Sequence, residues 1–189
     1  YTLAFIIVFL LLVALLSAFI RIVRPVRRRP RSSLWLMTNI VQVGMFLMRV
    51  RVEVTGRELI PRDTRFLLVC NHRTIFDPVL TMACLSEFTL AFISKKENFK
   101  IPIVNKIMHM CFCLPLDRED NRAAVKTINE AVELLDENVV SMGIYPEGMC
   151  NKTAAPLLPF RNGAFKIAQK ARVPIVISVI ENTENILKN

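Results

Sequence analysis

The chain has 189 residues, 53% of them hydrophobic, and a formal net charge of +9. This length allows one domain with a substantial core, although part of the apolar content lies in segments outside such a core. Most of the positive charge lies in one short segment, whereas a nucleic-acid-binding domain carries basic residues throughout its fold with aromatic side chains among them. We therefore predict no nucleic-acid partner.

The cysteines and histidines do not favour a metal centre. The five cysteines form no CxxC pair and lie mostly in apolar runs, which is typical of small buried side chains in a reducing compartment. Only His72 and His109 could add imidazole ligands, and the spacing of Cys111 and Cys113 suits one face of a strand better than a zinc site. We predict no bound metal.

Residues 1–23 are predicted to form a transmembrane helix. Tyr1 to Ile20 contains no charged residue, and about 20 apolar residues match the thickness of a bilayer core. The alternative, a cleaved signal peptide, requires a basic start, and no charge precedes Arg21. Six arginines then follow between positions 21 and 31, and such a cluster marks the cytoplasmic side and attracts anionic lipids. We expect a membrane protein with its main domain on the cytoplasmic side.

Residues 24–50 are predicted to form a basic linker and a second helix. Pro25 and Pro30 interrupt the basic segment. Ser33 is a suitable N-cap for the apolar stretch that follows, Leu34 to Val50. This helix could lie in the membrane surface or pack on the main domain, and the sequence leaves both alternatives open.

Residues 51–189 are predicted to form an α/β domain with a mostly parallel sheet flanked by helices. The alternation of Val50, Val52 and Val54 with polar residues predicts a first strand. Strands and helices then alternate, which is typical of parallel α/β architecture. The predicted strands are Phe66–Val69, Phe88–Ile93, Cys111–Leu116, Val139–Tyr145 and Val173–Ile180, and the predicted helices are Pro78–Leu85, Pro102–Met110, Asn121–Glu137 and Phe160–Ala171.

A histidine and an aspartate follow the strand Phe66–Val69. His72 and Asp77 lie five positions apart, at the carboxyl end of a predicted interior strand, where ligand chemistry collects in parallel sheets. An imidazole with a nearby carboxylate can act as a general base. The alternative is structural: His72 would cap the next helix, and Asp77 would bind backbone N–H groups.

Four sequence blocks occur in order along the chain. They are Asn71-His72-x4-Asp77, Pro115-Leu116-Asp117-Arg118, Tyr145-Pro146-Glu147-Gly148 and Val173-Pro174-Ile175-Val176. In this order and at these spacings they resemble the four motifs of the glycerolipid acyltransferases, from about Val50 to the C-terminus. Members of that family often continue beyond the last block, so we expect the chain to be truncated at Asn189.

The resemblance implies acyl transfer from an acyl-CoA or acyl-carrier-protein thioester to the free hydroxyl of 1-acylglycerol-3-phosphate, which gives phosphatidic acid. His72 would take the hydroxyl proton, and Asp77 would orient the imidazole. No cofactor is expected, because the donor thioester is already activated. The expected partners are membrane phospholipids, the lysophospholipid acceptor and the thioester donor.

The other blocks imply a substrate-binding set. Arg118 would bind a phosphate, although an ion pair with neighbouring acidic residues is a competing interpretation. Glu147 and Gly148 would help to bind the acceptor, and Arg161, at the predicted start of a helix, would be a second phosphate ligand. The family often has Thr-Arg after Glu-Gly, whereas this chain has Met149-Cys150-Asn151-Lys152, so Lys152 is the remaining basic candidate there.

Because of this departure, the sequence does not identify the acceptor substrate. Glycerol-3-phosphate or another lysophospholipid is an alternative substrate. A membrane-tethered, lipid-binding scaffold without activity is an alternative of another class, although the intact His72, Asp77 and Glu147 disfavour it.

Overall fold

The structure is a computed structural model, and it describes residues 31–186. The transmembrane helix predicted for residues 1–23 and nearly all of the basic cluster lie outside the described residues. The elements, in chain order, are α1 (Arg31–Leu47), β1 (Leu67–Cys70), α2 (Asp77–Cys84), β2 (Leu90–Lys95), α3 (Pro102–Met110), β3 (Leu114–Leu116), α4 (Asn121–Asp136), β4 (Ser141–Ile144), α5 (Lys166–Ala171) and β5 (Ile175–Ser178).

The five strands form one parallel sheet in the order β3-β2-β4-β1-β5. The central strands β1 and β4 are buried on both faces, which explains why they read as continuous apolar runs without alternation. In register, Leu67 lies between Met142 of β4 and Ile175 of β5. The predicted α/β class, with a parallel sheet flanked by helices, is confirmed.

The core lies on both sides of the central strands. Its largest fully buried side chains include Phe66, Phe92 and Phe112. Helix α4 covers one side with an apolar face, and the Asp120 carboxylate caps its start by accepting from the N–H groups of Arg122 and Ala123. Because each fully buried large apolar side chain contributes about 1.5–3 kcal/mol, this core holds the strand ends in fixed positions.

Three predicted elements differ from the structure. The strand predicted over Cys111–Leu116 spans only Leu114–Leu116, because Cys111 is the C-cap residue of α3, so Cys111 and Cys113 do not share one face of a strand.

The other two differences lie at residues 51–55 and at the start of α5. Residues 51–55 form no strand, and Val52 and Val54 are 45% and 37% exposed. No strand of the described sheet lies beside these residues. An alternating pattern without a pairing partner does not form a strand. The predicted helix Phe160–Ala171 begins later, because a 3-10 turn over Asn162–Phe165 precedes the α-helix Lys166–Ala171.

Helix α1 packs on the domain through one face and exposes the other. Ser33 does not cap it, because Ser33 lies inside the helix; its hydroxyl donates to the Met110 carbonyl of α3. The opposite face is apolar and exposed, formed by Trp35, Val43, Phe46 and Leu47. Within residues 31–186, none of the helices combines the length and the apolar character that a bilayer crossing requires.

Candidate active site

The predicted site residues lie at the carboxyl edge of the sheet. His72 follows β1, and Glu147 follows β4, the neighbour to which β1 is hydrogen-bonded. Adjacent parallel strands end at the same edge, so two residues 75 positions apart in sequence meet there: the Glu147 carboxylate accepts from the His72 N–H at 2.7 Å.

His72 and Asp77 form the predicted pair. The Nδ1 atom of His72 lies 2.9 Å from Oδ2 of Asp77, which is fully buried at the start of α2. The same carboxylate accepts from the backbone N–H groups of Arg73 and Thr74 and from the hydroxyl of Thr183. Both the catalytic and the structural interpretation of Asp77 therefore describe real contacts, whereas the cap position of α2 is Phe76 and not His72.

The contacts of Asp77 favour its charged form. Burial alone would raise its pKa, but hydrogen bonds from His72, Thr74 and Thr183 outweigh burial and hold the pKa below its usual value. A buried carboxylate that faces Nδ1 requires a proton on that nitrogen, so the neutral ring presents Nε2 as an acceptor. An imidazole in this tautomer is ready to accept a proton at Nε2.

Aromatic stacking fixes the plane of the imidazole. The His72 ring lies on the Tyr145 ring with centroids 4.2 Å apart, and Tyr145 lies on Phe92 at 5.3 Å. Tyr145 belongs to the third sequence block, but its role beneath the imidazole was not predicted. Neighbouring strand ends can bring two such rings together, and the identity of the strand neighbours was not available from the sequence.

Glu147 is buried and holds two loops together. Its Oε1 accepts from the His72 N–H, and its Oε2 accepts from the Leu158 N–H at 2.8 Å. The His72 carbonyl in turn accepts from the Asn151 N–H at 2.6 Å. Both carboxylate oxygens thus have backbone donors, and the predicted contact of Glu147 with an acceptor molecule stays a prediction.

Arg118 and Arg161 converge on Gly148, whose φ is +77°. A Cβ atom added at Gly148 would lie 2.9 Å from Nε of Arg161 and 3.5 Å from Nη1 of Arg118. Burial lowers the pKa of Arg118, and the nearby charge of Arg161 lowers it further. Two guanidinium groups held together in this way form a site that an anion would stabilise.

Two acidic neighbours of Arg118 are engaged elsewhere. Asp117 pairs with Lys96 at 2.6 Å, and Asp120 caps α4. Within the part of the chain that the structure describes, Arg118 and Arg161 have no carboxylate within ion-pair distance. The structure therefore contradicts the competing interpretation, in which Arg118 forms an ion pair with a neighbouring acidic residue.

Two further residues complete the description of this edge. Lys152 is exposed, and its predicted contact with a phosphate stays a prediction. Cys150, which was not predicted as a site residue, places its Sγ atom 3.3 Å from Nε2 of His72. Residues 31–186 contain no cluster of three or more histidine, cysteine or acidic side chains suited to a metal ion.

The chain is similar to known proteins over most of the described residues. The model of the family described as Acyltransferase matches residues 51–181. A 1-acyl-sn-glycerol-3-phosphate acyltransferase of Cocos nucifera is 31% identical over 74% of this chain and 44% of its own length, and a chloroplastic one of Brassica napus is 34% identical over 72% and 39%. The chain thus spans less than half the length of these two relatives.

One solved structure resembles this fold over most of the present chain. It is the crystal structure of PlsC, the 1-acyl-sn-glycerophosphate (LPA) acyltransferase of Thermotoga maritima. The TM-score is 0.61 at 29% sequence identity, and the match covers 87% of this chain and 63% of that one. This likeness extends beyond the sequence blocks to the fold as a whole.

Proposed function

Because this chain belongs to the Acyltransferase family, we propose that it transfers a fatty acyl group from a thioester to the free hydroxyl of 1-acylglycerol-3-phosphate, giving phosphatidic acid for phospholipid biosynthesis. The observation that carries the proposal is the His72–Asp77 pair at the carboxyl edge of the sheet. The Asp77 carboxylate favours the tautomer with the proton on Nδ1, so Nε2 is unprotonated, as a general base requires.

The reaction requires one proton to move twice. The acceptor hydroxyl donates its proton to Nε2 of His72 as its oxygen attacks the thioester carbonyl, and the buried Asp77 carboxylate stabilises the imidazolium. The tetrahedral intermediate then collapses, the carbon–sulfur bond breaks, and the imidazolium returns the proton to the leaving thiolate. The products are the new ester and a free thiol, so no redox or metal step is needed for atom balance.

The arginine pair supports a phosphate on the acceptor. Arg118 and Arg161 face Gly148, and two residues later Cys150 contacts His72, so one short loop links the anion site to the base. A phosphate between the guanidinium groups would relieve their repulsion and form charge-assisted hydrogen bonds. We assign this role to Arg118 and Arg161, with Gly148 leaving room for the two guanidinium groups and Glu147 fixing the two loops.

The exposed face of α1 supports a membrane location. Trp35, Val43, Phe46 and Leu47 lie together on the side of α1 away from the domain. Burying this face among lipid acyl chains would remove apolar surface from water, and tryptophan is favoured at membrane interfaces. In this proposal, α1 both packs on the domain and lies in the membrane surface, which keeps the domain beside the bilayer that holds the lipid acceptor.

The function is tested by product formation with purified protein in detergent or vesicles. Acyl-CoA and acyl-carrier-protein thioesters are supplied in turn as donors, with 1-acylglycerol-3-phosphate, glycerol-3-phosphate or lysophosphatidylcholine as acceptors. We expect phosphatidic acid from 1-acylglycerol-3-phosphate at a higher rate than product from the other two. Faster acylation of another acceptor would identify that molecule as the substrate instead. Lipid binding without transfer to any acceptor would favour the scaffold alternative.

A further inference from the structure

The thiol of Cys150 lies where the acceptor hydroxyl must lie. Its Sγ atom is 3.3 Å from Nε2 of His72, the nitrogen that accepts the hydroxyl proton in the proposed reaction. Because Asp77 requires the ring proton on Nδ1, the thiol is the donor in this contact. A donor already bound to Nε2 prevents a second one from forming the same hydrogen bond.

The residues that follow Cys150 hold this thiol in place. The next residue, Asn151, is buried and donates its backbone N–H to the His72 carbonyl at 2.6 Å. The Asn151 side chain accepts from the N–H and hydroxyl of Thr153, which fixes the turn beyond it. The loop that carries Cys150 is therefore tied to the residue that carries the base.

We propose that Cys150 occupies the hydroxyl position of the acceptor in the free enzyme, so that acceptor binding must displace the thiol and modification of the thiol closes the site. This inference rests on the proposed function and adds to it a residue that controls access to the base. Burial raises the pKa of Cys150, which favours a protonated thiol donor over a thiolate nucleophile.

A labelling experiment uses the contrast between Cys150 and the other cysteines. Cys70, Cys111 and Cys113 are buried, and burial raises the pKa of Cys70 to about 12, so they react slowly. Cys84 is half-buried like Cys150 but lies at the end of α2, so it is the matched control. Methyl methanethiosulfonate adds a small S-methyl group to accessible thiols.

In the Cys84→Ala protein we expect activity to fall in proportion to the label found on Cys150 by mass spectrometry. In the Cys150→Ala protein, labelling of Cys84 should leave the activity equal to that of the same variant without label. Bound 1-acylglycerol-3-phosphate displaces the thiol from His72 and covers it, so it should slow labelling of Cys150 at least several-fold and leave Cys84 labelling unchanged. Full activity in protein labelled at Cys150 would overturn the inference.

Kinetics provide a second readout. Removing the thiol in Cys150→Ala should lower the KM for the acceptor about three- to tenfold, the value of one ordinary hydrogen bond. Cys150→Ser keeps a donor at this position, so its KM should stay closer to that of the wild type. Equal KM values in the Ala variant and the wild type would contradict the inference. A wild type with no acceptor-dependent turnover would instead contradict the proposed function, since labelling of Cys150 is measured without turnover.

Discussion

At the scale of single residues, the site depends on a few side chains whose freedom has been removed. The Nδ1 atom of His72 is hydrogen-bonded to Asp77, its ring stacks on Tyr145, and its backbone N–H donates to Glu147. In the proposed reaction, an imidazole held at three points reaches the reactive geometry without a further entropic cost. Preorganisation of this kind explains why so many buried polar groups surround one histidine.

Gly148 tests the arginine pair at the same scale. We expect Gly148→Ala to raise the KM for a phosphate-bearing acceptor roughly 10- to 100-fold, because the new methyl group would displace Arg161 and cost one charge-assisted contact. The left-handed backbone adds a stability cost of about 1–2 kcal/mol. Steady-state kinetics and urea unfolding measure the two effects.

Gly163→Ala is the matched control, because a Cβ atom there meets nothing within 4 Å. It should leave both the acceptor KM and the urea midpoint near the wild-type values. Equal effects of the two substitutions would show that the arginine pair is not disturbed through Gly148.

At the scale of elements, the packing of the strands determines the position of the His72 imidazole. Gly143 of β4 lies under Phe92 of β2, which stacks on Tyr145, which in turn stacks on His72. A change in the middle of the sheet can thus reach His72 through two aromatic rings. Cores are close-packed, so the displaced ring has little room to move aside.

The substitution Gly143→Ala tests this transmission. Its Cβ atom would overlap the Phe92 ring, so we expect a loss of about 1–3 kcal/mol in the free energy of unfolding, together with lower turnover. In a Phe92→Leu background the same substitution should cost less, because the ring that clashes is gone. Additive free-energy changes in this double-mutant cycle would show that the contact does not matter.

Helix α1 offers a direct test of membrane contact. Trp35 is the single tryptophan of the chain and is 66% exposed on the apolar face of α1. In vesicles of lipids with brominated acyl chains, we expect its fluorescence to be quenched relative to the same vesicles without bromine. Replacing Phe46 and Leu47 together with serine should weaken the quenching. Equal fluorescence in both kinds of vesicle would place this face in water.

At the scale of the whole molecule, the stability of the fold is linked to the ionisation of Asp77. Its pKa in the folded protein is below the usual value, so the charged form stabilises the fold. This contribution is complete above the unfolded-state pKa of about 3.9 and is lost as the pH falls through the lower folded-state pKa.

We therefore expect Asp77→Asn to lower the urea midpoint at pH 6, and the difference from the wild type to shrink as the pH falls below about 4. Asp136→Asn, an exposed aspartate at the end of α4, is the matched control and should change neither value much. A difference between Asp77→Asn and wild type that stays constant from pH 6 to 3 would contradict the linkage.

The extent to which the sequence predicts this molecule follows from the range of the interactions. The His72–Asp77 contact is local, five residues apart, and the parallel sheet follows from alternating elements, so both were predictable. The stacking of Tyr145 and the contact of Cys150 depend on which strands are neighbours and on the path of a loop. The strand predicted around Val52 failed for the same reason, because a periodic pattern does not identify a pairing partner.

We infer that His72 is the base that activates the acceptor hydroxyl. The most direct measurement is acceptor-dependent release of free thiol from an acyl thioester by the wild type, His72→Ala and His109→Ala. His109 lies at the end of α3 against Phe99 and serves as the matched histidine control. We predict that His72→Ala loses turnover by at least about 100-fold while remaining folded, and that His109→Ala retains it. Acceptor-dependent turnover that survives in folded His72→Ala protein would contradict the claim.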